Sequence, residues 1–186
     1  MTRRRFFSIL ALAGWTCCLT STAGATVSAF FSSGGNCQGK PVAVFSGSDG
    51  GKDINVTLCL SATEEAICGH SVQLEAESAI ASGRFQVVAH RMGENYPDPT
   101  IEKLPGPVAV TNPASPHDFG GTRDNPKAPS ANQVLVLFTL RPSAAAKDAS
   151  YSIRLGKNSL VSVGKNGSCL ENAEVPISAS LKLERK

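Results

Sequence analysis

Polar and apolar residues alternate with a period of two along much of the chain. That spacing puts successive side chains on opposite faces of an extended backbone and predicts strands. Ile54, Val56, Leu58 and Leu60 fall on one side, and Asn55, Thr57 and Cys59 on the other. Val72, Leu74 and Ala76 oppose Ser71, Gln73 and Glu75 in the same way. Near the end, Ile177, Ala179, Leu181 and Leu183 alternate with Ser178, Ser180 and Lys182, within a strand predicted over 175–183. Other strands are predicted over 27–31, 42–45, 84–90, 108–111, 151–155 and 160–163.

The run Val134-Leu135-Val136-Leu137-Phe138 is apolar at every position, as suits a strand in mid-sheet with both faces covered. Clusters such as Gly47-Ser48-Asp49-Gly50-Gly51 and Gly164-Lys165-Asn166-Gly167 supply turns between strands, and no stretch holds a helical period. The expected fold is therefore all-β, a two-sheet sandwich of about nine strands. One stretch differs. Residues 92–132 carry prolines at 97, 99, 105, 107, 113, 116, 126 and 129 and only one predicted strand. Excursions of that length in a small domain usually serve function or are mobile, so specificity is sought there first.

The first 25 residues stand apart from this pattern. Met1-Thr2-Arg3-Arg4-Arg5, an apolar run from Phe6 to Ala13, and Ala23-Gly24-Ala25 are the three parts of a secretory leader, with cleavage expected near Ala25. Thr2-Arg3-Arg4-Arg5-Phe6 also fits the twin-arginine pattern, so two export routes stay open. Either leads to the periplasm or beyond. No stretch reaches the ~20 apolar residues a membrane span needs. The domain then runs from 26 to 186.

Removing the leader changes the charge. It holds three of the 18 basic residues and none of the 15 acidic ones, leaving 15 of each. The remaining domain is formally neutral, which removes the electrostatic case for nucleic acid. The only tryptophan, Trp15, leaves too, and Tyr96 and Tyr151 remain beside six phenylalanines. Sugar-binding platforms are built on exposed aromatic faces, so this composition ranks polysaccharide below protein as a ligand.

Four cysteines remain: Cys37, Cys59, Cys68 and Cys169. An even count in an exported chain reads as two disulfides. Three pairings are possible. Cys59 and Cys68 flank a short connection between strand-like runs and are expected to face each other across a hairpin, leaving Cys37–Cys169. For metal, only His90 and Met92 share a face at ligand spacing, a pair that copper would suit but that arises often by chance. No G-x-S-x-G, H-E-x-x-H, phosphate-binding loop or aromatic-flanked carboxylate pair occurs. No catalytic residue is assigned, no enzyme is expected, and no cofactor is implied.

Three stretches carry a family resemblance: Asp53-Ile54-Asn55-Val56-Thr57-Leu58; Ile67-Cys68-Gly69-His70-Ser71-Val72-Gln73-Leu74-Glu75-Ala76; and Asn132-Gln133-Val134-Leu135-Val136-Leu137-Phe138-Thr139-Leu140. With Tyr151-Ser152-Ile153 after them, they resemble, in order and spacing, the cohesin family of exported β-sandwich modules that capture dockerin modules. The resemblance implies a jelly-roll sandwich and a non-catalytic module with an exported, dockerin-like protein partner. It also implies a contact face that includes Ser71, Gln73 and Glu75. Carbohydrate-binding modules share the architecture, which keeps sugar binding as the second reading and a structural subunit of a surface assembly as the third.

Overall fold

The alternating segments become strands throughout the described residues of a computed structural model, 27–46, 51–96, 101–123, 128–165 and 168–186. The predicted leader lies outside them. In chain order the strands are β1 (Ala29–Ser33), β2 (Val42–Phe45), β3 (Ile54–Leu60), β4 (Ala66–Ser71), β5 (Leu74–Ala76), β6 (Phe85–Met92) and β7 (Ile101–Ala109). There follow β8 (Gly121–Thr122), β9 (Gln133–Pro142), β10 (Ser150–Leu155), β11 (Leu160–Lys165), β12 (Ser168–Pro176) and β13 (Ser180–Arg185). No helix occurs among the described residues. The fold is the expected all-β sandwich, with its strands more finely divided.

One layer is a five-stranded antiparallel sheet in the order β1-β3-β9-β6-β7. The other layer holds two four-stranded sheets, β2-β13-β10-β5 and β12-β11-β4-β8, with β2 and β13 running parallel. The chain passes directly from β4 to β5 and from β10 to β11, so the two smaller sheets are joined at a break rather than separated. Ser159, 1% exposed, closes that break: its hydroxyl receives the Gln73 N–H at 3.0 Å, and the Gln73 carbonyl receives the Gly156 N–H at 2.8 Å.

The apolar run at 134–138 lies in β9, the middle strand of the five-stranded sheet, as its uninterrupted hydrophobicity predicts. Leu135, Val136, Phe138 and Leu140 are fully buried there. The inner face packs into the core. Part of the outer face is covered by the loop after β1, where a Cβ on Gly35 would touch Leu137 Cδ1 at 3.7 Å. Thr57 Oγ1 donates to the Gly34 carbonyl at 2.6 Å, which explains why an outward residue of β3 is fully buried.

That same loop overturns the expected disulfides. The bonds are Cys37–Cys59 and Cys68–Cys169, with Cα–Cα distances of 5.8 and 5.7 Å. Cys59–Cys68 fails because 61–65 is a crossover and not a hairpin: β3 belongs to the five-stranded sheet and β4 to the opposite layer. Cys59 instead points outward into the loop that carries Cys37. Cys68 reaches Cys169 past β11, whose Gly164 leaves the room; a Cβ there would lie 2.9 Å from Cys68 Sγ.

The strand expected over 175–183 is divided. Pro176 cannot donate to a ladder, and the chain leaves β11 there to pair again with β10 as β13. Ile177, Leu181 and Leu183 nonetheless all reach the core, as their alternation requires.

The Pro-rich excursion contributes to the core. β7 contains Pro105 and Pro107 yet forms the sheet edge beside β6, a position where a missing donor is tolerated. Segment 110–112 closes the free edge of β5: Ala76 N–H donates to the Thr111 carbonyl at 2.9 Å, and Asn112 Nδ2 donates to the Ala76 carbonyl at 2.8 Å. Phe119, 2% exposed, sits edge-on to Phe138 with ring centroids 5.1 Å apart. A second aromatic group, Phe45, Phe85 and Tyr151, packs near the opposite end of β6 with centroids 5.2 to 6.0 Å apart.

Candidate functional site

Ser71, Gln73 and Glu75 project from the outward side of the second layer, because Val72, Leu74 and Ala76 take the alternate positions and are buried. All three are half-buried. Glu75 lies directly opposite Arg154 of β10, and Arg154 Nη2 approaches Glu75 Oε1 at 3.3 Å. The Arg154 side chain is half exposed, so the pair is worth no more than about 1 kcal/mol and stays available for exchange with a partner's charges. Lys182 and Glu184, on β13 in the same sheet, form another exposed pair at 2.7 Å. The outward side of this sheet therefore offers hydroxyl, amide and paired charges of both signs.

A second polar group lies deeper, where β4, β6, β8 and the start of β9 meet. His70 is 5% exposed, and its Nδ1 is 2.6 Å from the Tyr96 hydroxyl. The Arg123 guanidinium sits 5.1 Å from the centroid of the Tyr96 ring and donates through Nη2 to Gln133 Oε1 at 2.6 Å. Asn95 Nδ2 donates to the same oxygen at 3.0 Å. Burial lowers the His70 pKa to about 4, aided by the nearby Arg123 and His90 and opposed by the Phe119 backbone. Burial also raises the Tyr96 pKa, against the pull of Arg123, and lowers that of Arg123 itself. Near neutral pH the group is thus a neutral imidazole, a neutral phenol and a single cation.

Beside this group lie two open hollows that share Asn95, Ala131, Asn132 and Gln133. One, of about 550 Å³, is bordered by the Cys37 loop and Arg91. The other, of about 280 Å³, is bordered by Arg123 and Pro129. His90 and Met92 lie together on β6; His90 is buried, with its ring 5.3 Å from Phe119 and edge-on to it. Among the described residues no three His, Cys, Asp or Glu gather as a metal cluster. No described helix is long and apolar enough to cross a membrane.

Ser71, Gln73 and Glu75 keep the outward positions of the alternation, Ser71 at the end of β4 and Glu75 in β5 of the neighbouring sheet. The Tyr96–Arg123–Gln133 group is invisible to the alternation, since two of its members lie in the Pro-rich excursion and meet β4 and β9 only through the tertiary fold. The sequence signal that points toward it is the length of that excursion.

No protein-family model and no curated protein matches the chain. Among solved structures it is similar to the third cohesin of ScaC in complex with the ScaB dockerin from Acetivibrio cellulolyticus. The TM-score is 0.51 at 13% identity, covering 86% of this chain and 99% of that one. It is also similar to the third ScaB cohesin of R. flavefaciens in complex with a group 1 dockerin (TM-score 0.51, 14% identity, 87% and 97% covered). The Coh-OlpA cohesin of a type I cohesin–dockerin complex from Clostridium thermocellum gives a TM-score of 0.50 at 14% identity, with 87% and 99% covered. At such identities the likeness is one of fold.

Proposed function

We propose that this chain is an exported, non-catalytic module that captures a protein partner on the outward side of β4, β5 and β10, as a cohesin captures a dockerin. The observation that carries the reading is the likeness in fold, over nearly the whole length of each, to cohesins held in complexes with dockerins. Fold alone does not assign function, so the surface has to supply the rest. Ser71, Gln73, Glu75 and Arg154 are outward on adjacent segments, polar, and carried by a layer whose inner side is core. Such a surface fits a partner of mixed charge and hydrogen-bonding capacity. Two disulfides suit an oxidising compartment, in keeping with export by the predicted leader near Ala25.

The test is isothermal titration of residues 26–186 with a panel of purified dockerin modules and with proteins recovered from the source organism's exported fraction. Saturable one-to-one binding in the micromolar range or tighter is expected. A panel and an exported fraction that yield no saturable binder would overturn the proposal.

A further inference from the structure

Arg123 is a buried cation whose neighbours among the described residues are neutral. It is 7% exposed, and its contacts are the Tyr96 ring, the Gln133 amide oxygen and, at 3.5 Å, the Ile67 carbonyl. Arg141 has Asp53 and Arg154 has Glu75. No carboxylate among the described residues pairs with Arg123. Taking a guanidinium out of water without a counter-charge is unfavourable by several kcal/mol, so a fold that keeps one has a use for it or tolerates a loss. Two buried donors here, Arg123 Nε and Gln133 Nε2, also have no hydrogen-bond partner among the described residues. On Arg123 and Gln133 the spare capacity is all donor, and with the guanidinium charge the ligand it suits is an anion with acceptor oxygens; His70 Nε2, also without a partner among the described residues, donates or accepts according to its tautomer. A planar guanidinium fork matches a carboxylate in particular.

The surroundings narrow the class. Arg123 borders the smaller hollow, which shares Asn95, Asn132 and Gln133 with the larger one; the larger, about 550 Å³, has the size of an ordinary small-molecule site. Asn36 and Gln38 add two further amides to the larger hollow. A side-chain amide donates and accepts at once, as each hydroxyl of a sugar does. Among charged groups, Arg91 reinforces Arg123 and Glu94 opposes them. We propose that the paired hollows bind a carboxylated sugar of the uronate class, its carboxylate directed to Arg123 and its hydroxyls to the amides. The site has no residue in common with Ser71, Gln73 and Glu75, so it stands or falls separately from partner capture.

The test is an NMR titration of residues 26–186 with a galacturonate trisaccharide, the matching neutral galactose trisaccharide, and a capped peptide rich in Asp and Glu. Saturable shifts of the Asn95, Asn132 and Gln133 side-chain amides are expected with the uronate, with at least tenfold weaker binding of the neutral sugar. Arg123→Gln should erase that preference. Because this change also disturbs the packing on Tyr96, Arg91→Gln and Asn132→Ala at the rim provide a second reading. Each should weaken uronate binding several-fold with an unchanged urea midpoint. No saturable shift with the uronate, equal affinity for the neutral sugar, or binding of the acidic peptide alone would overturn the assignment.

Discussion

Replacing Cys68 and Cys169 by alanine should destabilise the domain more than replacing Cys37 and Cys59. The two bonds differ mainly in the length of chain they close, 101 residues against 22. In the chain-entropy account a cross-link acts on the unfolded ensemble, and its effect grows with the logarithm of that length. The formula gives about 4.7 kcal/mol for the long loop and about 3.4 kcal/mol for the short one, a difference of about 1.3 kcal/mol. Buried volume contributes similarly to both pairs, since Cys59 and Cys68 are each buried in the fold. Urea unfolding of the two double variants measures the difference, and a rise in the m-value should accompany loss of each link as the unfolded chain expands. A larger loss from the Cys37/Cys59 pair would show that loop length does not set the difference. Non-reducing peptide mapping that joins Cys59 to Cys68 would refute the connectivity itself.

Three further outcomes follow from the packing. Gly164→Ala places a Cβ 2.6 Å from the Ser168 carbonyl oxygen and 2.9 Å from Cys68 Sγ, and should lower stability by about 1–3 kcal/mol in urea titration. Gly35→Ala, whose nearest contact is an ordinary 3.7 Å, is the contrasting control for that crowding. Phe119→Ala should destabilise by about 3–5 kcal/mol, as for any core aromatic, and a loss below about 1 kcal/mol would show that the Pro-rich excursion is not packed against β9. His70 has a pKa lowered to about 4 in the fold against the ordinary 6.5, so between those values the unfolded chain binds a proton that the folded one does not. Stability should therefore fall as pH drops through that window, by up to about 3 kcal/mol. His70→Gln should flatten the fall, and parallel pH profiles for the two proteins would contradict the burial of a neutral imidazole.

Local rules reached some elements to the residue. β2 and β3 begin and end where the alternation of 42–45 and 54–60 does, because one side of each strand is core and a slip of one residue would expose it. The central place of β9 follows from five apolar residues in a row. What periodicity cannot carry is which layer a strand joins. Cys59 and Cys68 are near in sequence but belong to opposite layers, so the disulfide expectation failed at a crossover that reads like a hairpin. Of β7 only the end was expected, in the strand over 108–111, because local rules count Pro105 and Pro107 against a strand where an edge accepts them. The His70–Tyr96 contact spans 26 residues and the Arg123–Ile67 contact 56, distances at which only the assembled fold brings side chains together.

Capture of a protein on the outward side of β4, β5 and β10 is tested by the affinity of a bound dockerin or exported partner for Gln73→Arg. Gln73 is half-buried on that face, and its backbone is held by Ser159 and Gly156, so the substitution adds charge and bulk outside the core. At least a tenfold loss of affinity is expected, with an unchanged urea midpoint. Undiminished affinity, with the partner's footprint elsewhere on the domain, would contradict it.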